Sequence, residues 1–253
     1  MPLLSIITVT YNAERFLERT IQSLLANQPG AEVEYLIIDG QSTDHTLDLV
    51  RQYEKHISRW ISEPDRGLYD AMNKGQRLAT GDYVWFMNAG DELYDATTIS
   101  RVLSQLRTNP ADVYYSDALF VDNTGKPLGL RSRITPHTLP HTLTWRDMAM
   151  GMKVCHQAFM ARRSIAPDFL VDNLSADIDW EIRCLKAARK AVWLDFILCK
   201  YLTGGLSVQR HRQSLADRFK VLATHFGTAT AVWNHVRIVA RAVRFRFNRK
   251  ENR

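Results

Sequence analysis

Only three cysteines occur in the 253 residues, Cys155, Cys184 and Cys199, and they stand far apart with no CxxC pair. An odd, scattered set disfavours a disulfide framework and a Cys-based zinc site, and reads as reduced thiols that fill a core. No apolar run approaches the roughly 20 residues that a membrane-crossing helix needs. The opening MPLLSIITVTYN lacks a basic flank, so neither a secretory leader nor a spanning segment is expected, and a cytoplasmic location is. No GxGxxG follows the first strand-like run and no GxxxxGKS/T occurs, which disfavours a dinucleotide-binding fold and a P-loop. Internal repeats, low-complexity tracts and linkers are missing too. What remains, at 45% hydrophobic and 24% charged residues, suits one large α/β domain with a sizeable core.

The net charge of +6 is confined to one end. Arg237, Arg241, Arg244, Arg246, Arg249, Lys250 and Arg253 face a single acid, Glu251; without these the 33 basic and 27 acidic residues become 26 of each. A neutral body excludes nucleic-acid binding by the whole protein. Val232, Val236, Val239 and Val243 recur at helical spacing beside the arginines, so an amphipathic basic helix is expected over 226–253. Its apolar stripe fits either an anionic membrane surface, by peripheral contact through Arg237 to Arg253, or docking on the protein.

Strand and helix patterns alternate from the start. Leu3 to Thr10 is a near-continuous β-branched run of the kind buried in a parallel sheet, followed by a helix over Phe16 to Leu25. Tyr35 to Ile38, Ile57 to Ile61 and Tyr83 to Met87 are expected as further strands, with helices after Ser42–Asp44, after Gly67 and after Asp95. Val113 to Val121 and Pro127 to Ile134 are expected to pair as a hairpin across Asp122–Gly125. This alternation predicts an α/β fold built on a mostly parallel, Rossmann-like sheet flanked by helices.

In such a sheet ligands meet the loops at the carboxyl edge. Four strands end there in polar groups: Tyr11–Asn12, Asp39, Asp65 and Asp91. A lone acidic residue after a strand stabilises a turn; four successive strands ending in polar side chains suggest acceptors for a ribose or base and an oxygen ligand for a phosphate-bearing cation. Nucleotide chemistry is the class this points to.

The stretches TVTYNAERFLERTIQSLL, IIDGQSTDHT, SEPDRGLYDAMNKGQRLATGDYVWFMNAGDE, CHQAF and ADIDWEIR together resemble bacterial family 2 glycosyltransferases of GT-A fold, nearest to the colanic-acid and exopolysaccharide, WcaE-like branch. The resemblance spans Leu3 to Ser207. It implies a nucleotide-sugar half over 1–110 and an acceptor half over 111–225. It further implies an inverting transfer from a nucleoside diphosphate sugar to a saccharide or polyprenyl-linked hydroxyl acceptor, with Mn²⁺ or Mg²⁺. Carried over by position, Thr10, Tyr11, Asn12, Asp39 and Asp65 would hold base and ribose, Asn73 and Lys74 would lie toward the diphosphate, and Asp91 would bind the metal. Where many relatives read DxDD, this chain reads Asn88, Ala89, Gly90, Asp91, so one carboxylate remains. Asp177, first acid of the ADxD pattern, would be the catalytic base, which an alcohol nucleophile requires. Asp179 is its rival and could instead pair with Arg183. His156 either orients the acceptor or sits in the core. Gly204 to Ser207 with Arg210 and His211 resembles a segment that closes over the diphosphate. Two other readings stay open: sugar-1-phosphate nucleotidyl transfer, weakened by the absence of its glycine-rich loop after strand one, and a non-catalytic nucleotide-sugar or saccharide binding module.

Overall fold

A computed structural model describes residues 2–205 and 209–251; Leu206, Ser207 and Arg253 lie outside the described residues. Seven strands form the main sheet in the order β10 (Ala191–Trp193), β6 (Val113–Tyr115), β9 (Phe159–Arg162), β4 (Tyr83–Phe86), β1 (Leu4–Thr10), β2 (Val33–Asp39), β3 (Arg59–Ser62). The β4–β1–β2–β3 block is parallel, while β9 runs antiparallel to both β4 and β6. A smaller sheet is ordered β5 (Glu92–Leu93), β11 (Cys199–Leu202), β7 (Ala118–Val121), β8 (Pro127–Leu130).

The apolar run of β1 is buried at every position, as a strand covered on both faces must be. Helix α1 (Leu17–Leu25) turns Leu17, Thr20, Ile21 and Leu24 inward. Helix α3 (Leu68–Leu78) lies tight on the sheet because Gly75 has no side chain: a Cβ there would strike Ile7 and Ile38. Helices α2 (Thr46–Gln52) and α4 (Thr98–Thr108) complete the first half, and Asp95 organises the start of α4 by accepting from Thr97 N–H at 2.8 Å. The third strand is shorter than expected and begins at Arg59; Ile57 precedes it.

The expected long strand Val113 to Val121 is two strands in two sheets. Ser116 and Asp117 break it: the Ser116 N–H donates to Ala158 O, its hydroxyl accepts from Leu198 N–H, and the Asp117 carboxylate accepts from Ala118 N–H and the Ser132 hydroxyl. Only β7 and β8 form the hairpin, and Arg131–Ile134 is a short helix, α5. After β9 the chain forms α6 (Ala176–Ala187), then α7 (His211–Phe226) and α8 (Thr228–Glu251), the last two separated by Gly227 at φ +84°.

Strands from both halves of the chain thus build one core. Phe86, Phe159, Phe169 and Trp180 meet there, with Phe169 stacked on Trp180 at 5.1 Å.

Candidate active site

At the carboxyl edge β1, β2 and β3 end side by side: Gly40 N–H donates to Thr10 O and Glu63 N–H to Asp39 O. Asp39 is fully buried, and its carboxylate accepts from Ser42 N–H (2.9 Å), the Ser42 hydroxyl (2.5 Å) and the Ser62 hydroxyl (2.6 Å). The Ser42 oxygen in turn accepts from Asn12 N–H at 2.8 Å, and Asn12 Oδ1 accepts from Thr43 N–H at 2.9 Å. This network holds Asn12 at φ 47°, a left-handed conformation that asparagine tolerates better than most residues. Beside it Tyr11 is 63% exposed. The Tyr11 ring and the Asp65 carboxylate come over Gly40, where a Cβ would collide with Asp65. The Asp65 Oδ1 accepts from Gly67 N–H at 2.7 Å. Thr10, Tyr11, Asn12, Asp39 and Asp65 therefore form one cluster, in which Asp39 shapes the loop and Tyr11 and Asp65 present the surface.

The two residues expected next to them part company. Lys74 reaches the same loop, donating to Pro64 O at 2.6 Å and pairing with Glu63 at 3.0 Å. Asn73 does not join. It is buried and spends its amide on the Phe169 backbone, donating to Phe169 O at 3.0 Å and accepting from Phe169 N–H at 2.7 Å.

Asp91 lies buried in the turn after β4, next to the end of β1 through Ala89 N–H donating to Val9 O. Burial pushes its pKa up to about 7, against the pull of the Leu202 N–H, Gln157 and Arg19; the Leu202 bond is 2.8 Å. A side chain at position 90 would be strained by the backbone conformation there. Gly90 sits at φ +102°, and a Cβ there would lie 2.5 Å from Leu202 Cδ2. Among the described residues no cluster of three or more His, Cys, Asp and Glu forms a ready-made metal cage. The oxygens present do fit a hard cation that brings its own phosphates: Asp91 is accompanied by Asn88 Oδ1, which is buried without a hydrogen-bond partner, as is Thr10 Oγ1 on the adjacent strand.

Helix α6 carries the other acids. Asp177, in its first turn, is half-buried and accepts from Ile178 N–H at 2.9 Å. Burial raises its pKa to about 6, with the Ile178 N–H and the Tyr69 hydroxyl pulling it back. Asp179 is committed elsewhere: it pairs with Arg183 at 2.6 Å and His225 at 2.7 Å. Burial raises its pKa, but His225 and Arg183 outweigh that and hold it below the usual carboxylate range. The Tyr201 phenol of β11 is pushed up by burial and then by Cys155, Asp91 and Asp177, so Asp91 and Asp177 share one neighbourhood.

One expected residue, His156, is not at this surface. His156 is buried among Phe86, Phe169 and Trp180, has no hydrogen-bond partner on either ring nitrogen, and is held neutral by burial with a pKa of about 3. Arg210 and His211 are exposed where α7 begins, with no ion pair among the described residues. Conversely, Tyr69, Asn88, Gln157, Tyr201 and Leu202 contribute although no role was expected of them. Tyr69, Asn88 and Gln157 fall inside the stretches that carry the resemblance; Tyr201 and Leu202 carry no sequence signal.

Solved structures share this architecture. S. aureus TarS 1–349 in complex with UDP-GlcNAc superposes with a TM-score of 0.72 at 19% identity, covering 95% of this chain and 72% of that one. The mannosyltransferase PcManGT from Pyrobaculum calidifontis, in complex with GDP-Man and Mn²⁺, gives 0.62 at 16% identity over 94% and 75%. The fold is that of GT-A glycosyltransferases. In sequence, a PGL/p-HBAD biosynthesis glycosyltransferase of Mycobacterium tuberculosis is 31% identical over 216 residues, 81% of this chain and 79% of the relative. TuaG of Bacillus subtilis, a putative teichuronic acid biosynthesis glycosyltransferase, is 26% identical over 97% of this chain and 98% of its own. The family described as Glycosyl transferase family 2 matches residues 5–169. The chain belongs to that family and is a glycosyltransferase.

Proposed function

We propose that the chain moves a sugar from a UDP- or GDP-sugar to a hydroxyl of a saccharide or polyprenyl-linked acceptor, with inversion at C1, in the synthesis of a polysaccharide or lipid-linked glycan. The observation that carries this reading is the contrast on α6: Asp179 is consumed by Arg183 and His225, whereas Asp177 stays half-buried, is not ion-paired among the described residues, and shares the Tyr201 neighbourhood with Asp91.

The donor base and ribose lie on Tyr11 and Asp65, over the loop that Asp39 and Asn12 stiffen. Asp177 accepts the proton of the acceptor hydroxyl as its oxygen bonds to C1. The bond from C1 to the diphosphate oxygen breaks on the opposite face, so the configuration inverts. Positioned base catalysis of this kind contributes about 10²- to 10⁴-fold. Asp91 and Asn88 would hold a divalent cation, which when bound would compensate charge on the departing diphosphate. The names of the relatives, which include a UDP-GlcNAc complex and a GDP-Man complex with Mn²⁺, support both donor classes.

The lipid-linked acceptor draws support from α8. Its inner face docks, with Asn234 donating to Ala149 O and Arg241 to Met150 O, while Val232, Trp233, Val236, Val239, Val243 and Phe247 on the outer face are 47–66% exposed. Arg237 and Arg244 flank that stripe. No helix among the described residues is long and apolar enough to cross a membrane, so α8 lies on the surface of the inner leaflet, where its arginines meet anionic lipid.

Thermal unfolding with UDP, GDP, CMP and dTDP, each with Mn²⁺ and with EDTA, tests the donor site. A nucleotide at ~100 times its Kd adds ~2.7 kcal/mol of stability. One diphosphate stabilising in Mn²⁺ alone supports the reading. No response to any nucleotide sinks the donor-site reading.

A further inference from the structure

Beside the acceptor face, one short segment is gripped from two sides by guanidinium groups. Arg131, buried at the start of α5, donates to Met152 O at 2.7 Å and to Lys153 O at 2.6 Å. Arg241 of α8 donates to Met150 O at 3.1 Å and approaches His137 Nδ1 at 3.4 Å. Lys153 extends from the gripped segment itself, and Arg218 of α7 feels the charge of Arg241. The Nε atoms of Arg218 and Arg241 are both buried and have no hydrogen-bond acceptor.

Four cations are gathered here from separate elements, and none of them is in an ion pair among the described residues. The acids within reach do not neutralise them. Asp147, whose charge acts on Lys153, is tied up by the N–H and hydroxyl of Thr144. Glu181 is fully buried and makes no ion pair with any of the four; burial and then Asp177 raise its pKa well above the usual carboxylate value, against the pull of Arg131. His137 is no counter-charge either: burial, then Arg131, Arg241, Lys153 and Arg218, lower its pKa to about 3, which leaves a neutral ring. Buried donors normally find acceptors, and like charges brought together repel unless an anion joins them.

We propose that Arg131, Lys153, Arg218 and Arg241 form a binding site for a phosphate ester carried by the acceptor. Guanidinium pairs suit phosphate oxygens by their forked donor geometry. The segment they hold, 150–153, leads directly into Cys155–Gln157, and the Gln157 side chain favours the charged form of Asp91. A phosphate seated here lies beside the segment that precedes Cys155–Gln157 in the chain, next to the helix that carries Arg241 and whose outer face is apolar. The identity of the occupant as part of the acceptor rests on the transferase reading; the anion site itself does not.

The test uses the full chain, with inorganic pyrophosphate as the probe and UDP with Mn²⁺ present to fill the donor site. Pyrophosphate should raise the unfolding temperature further. Arg218→Gln should weaken that response about tenfold or more and leave the UDP response unchanged. It should also raise the unfolding temperature in plain buffer, because a like charge has gone. A variant that melts lower and binds pyrophosphate as well as wild type would overturn the proposal, as would a pyrophosphate effect that disappears once UDP is present. Phosphatidylglycerol vesicles separate the two sources of phosphate. Undiminished vesicle binding by Arg218→Gln, with pyrophosphate affinity lost, supports the acceptor phosphate; parallel loss of both makes a lipid headgroup the occupant and overturns the assignment. If UDP has no effect but the pyrophosphate difference persists, it is the donor reading that has failed.

Discussion

Asp177 and Asp179 stand two residues apart on α6 and have opposite chemistry. Ion pairs keep Asp179 charged and immobile, whereas burial alone raises Asp177 to about 6. Asp177→Asn should lower kcat by about 10²- to 10⁴-fold while UDP binding and melting stay unchanged; full activity would remove it from the base role. Since the base acts only when deprotonated, kcat/KM of the wild type should fall about tenfold per pH unit below pH 6, the free-enzyme value, in a steady-state pH profile. Asp91 gives a second, opposite pH signal. Its folded-state pKa of about 7 lies above the 3.8 of a free carboxyl, so the folded state holds an extra proton between the two. That stabilisation is complete below pH 4 and is lost as pH rises through 7. Asp91→Asn should flatten this loss, raise metal-free stability at pH 8 by on the order of 1–3 kcal/mol, and abolish Mn²⁺-dependent nucleotide binding. At this scale the sequence was informative about which acids follow strands, but not about their partners. Asn73 and His156 illustrate why: both occur in motif stretches, yet the Phe169 backbone claims one and an aromatic box the other, through contacts 96 residues apart in the first case that no local pattern encodes.

The turn between β4 and β5 shows how one element limits another. Leu202 of β11 donates its N–H to Asp91 and fills the space beside Gly90. Gly90→Asp, which would restore a second acid, should cost roughly 2–4 kcal/mol from overpacking and positive φ, measurable by denaturant unfolding, and should not tighten Mn²⁺ binding. The parallel strands β1, β2 and β4 and the helices between them were legible because burial on both faces leaves unbroken apolar runs, whereas the half-exposed β3 came out shorter than expected. Strands β9, β10 and β11 were not: each is four residues or fewer, too short for a periodic signal, and they are strands because of their neighbours. The single strand expected over 113–121 failed for a related reason, since Ser116 and Asp117 find hydrogen bonds that pull the chain from one sheet to the other.

Over the molecule as a whole, the basic helix α8 was foreseen as amphipathic with two destinations open, and it is docked on the body by one side. Its polar inner side is docked and its valine stripe is exposed. Val236→Glu with Val239→Glu should reduce binding to phosphatidylglycerol vesicles at least about tenfold in a sedimentation assay, with melting unchanged because neither side chain packs on the body.

The expected division into a nucleotide-sugar half and an acceptor half is not a division of the fold. Strand β9 is hydrogen-bonded between β4 and β6, and Asn73 and Gln76 of α3 hold the backbone of 166–169. For protein engineering this dictates where parts can be exchanged. Grafting the first 110 residues onto another relative's remainder would cut the sheet beside its central strand and replace both sides of that clamp independently. A hybrid enzyme with altered acceptor choice should instead keep 1–130 and 156–225 from one parent and exchange only the intervening 131–155 stretch, or swap the tail at Gly227, where no strand is severed.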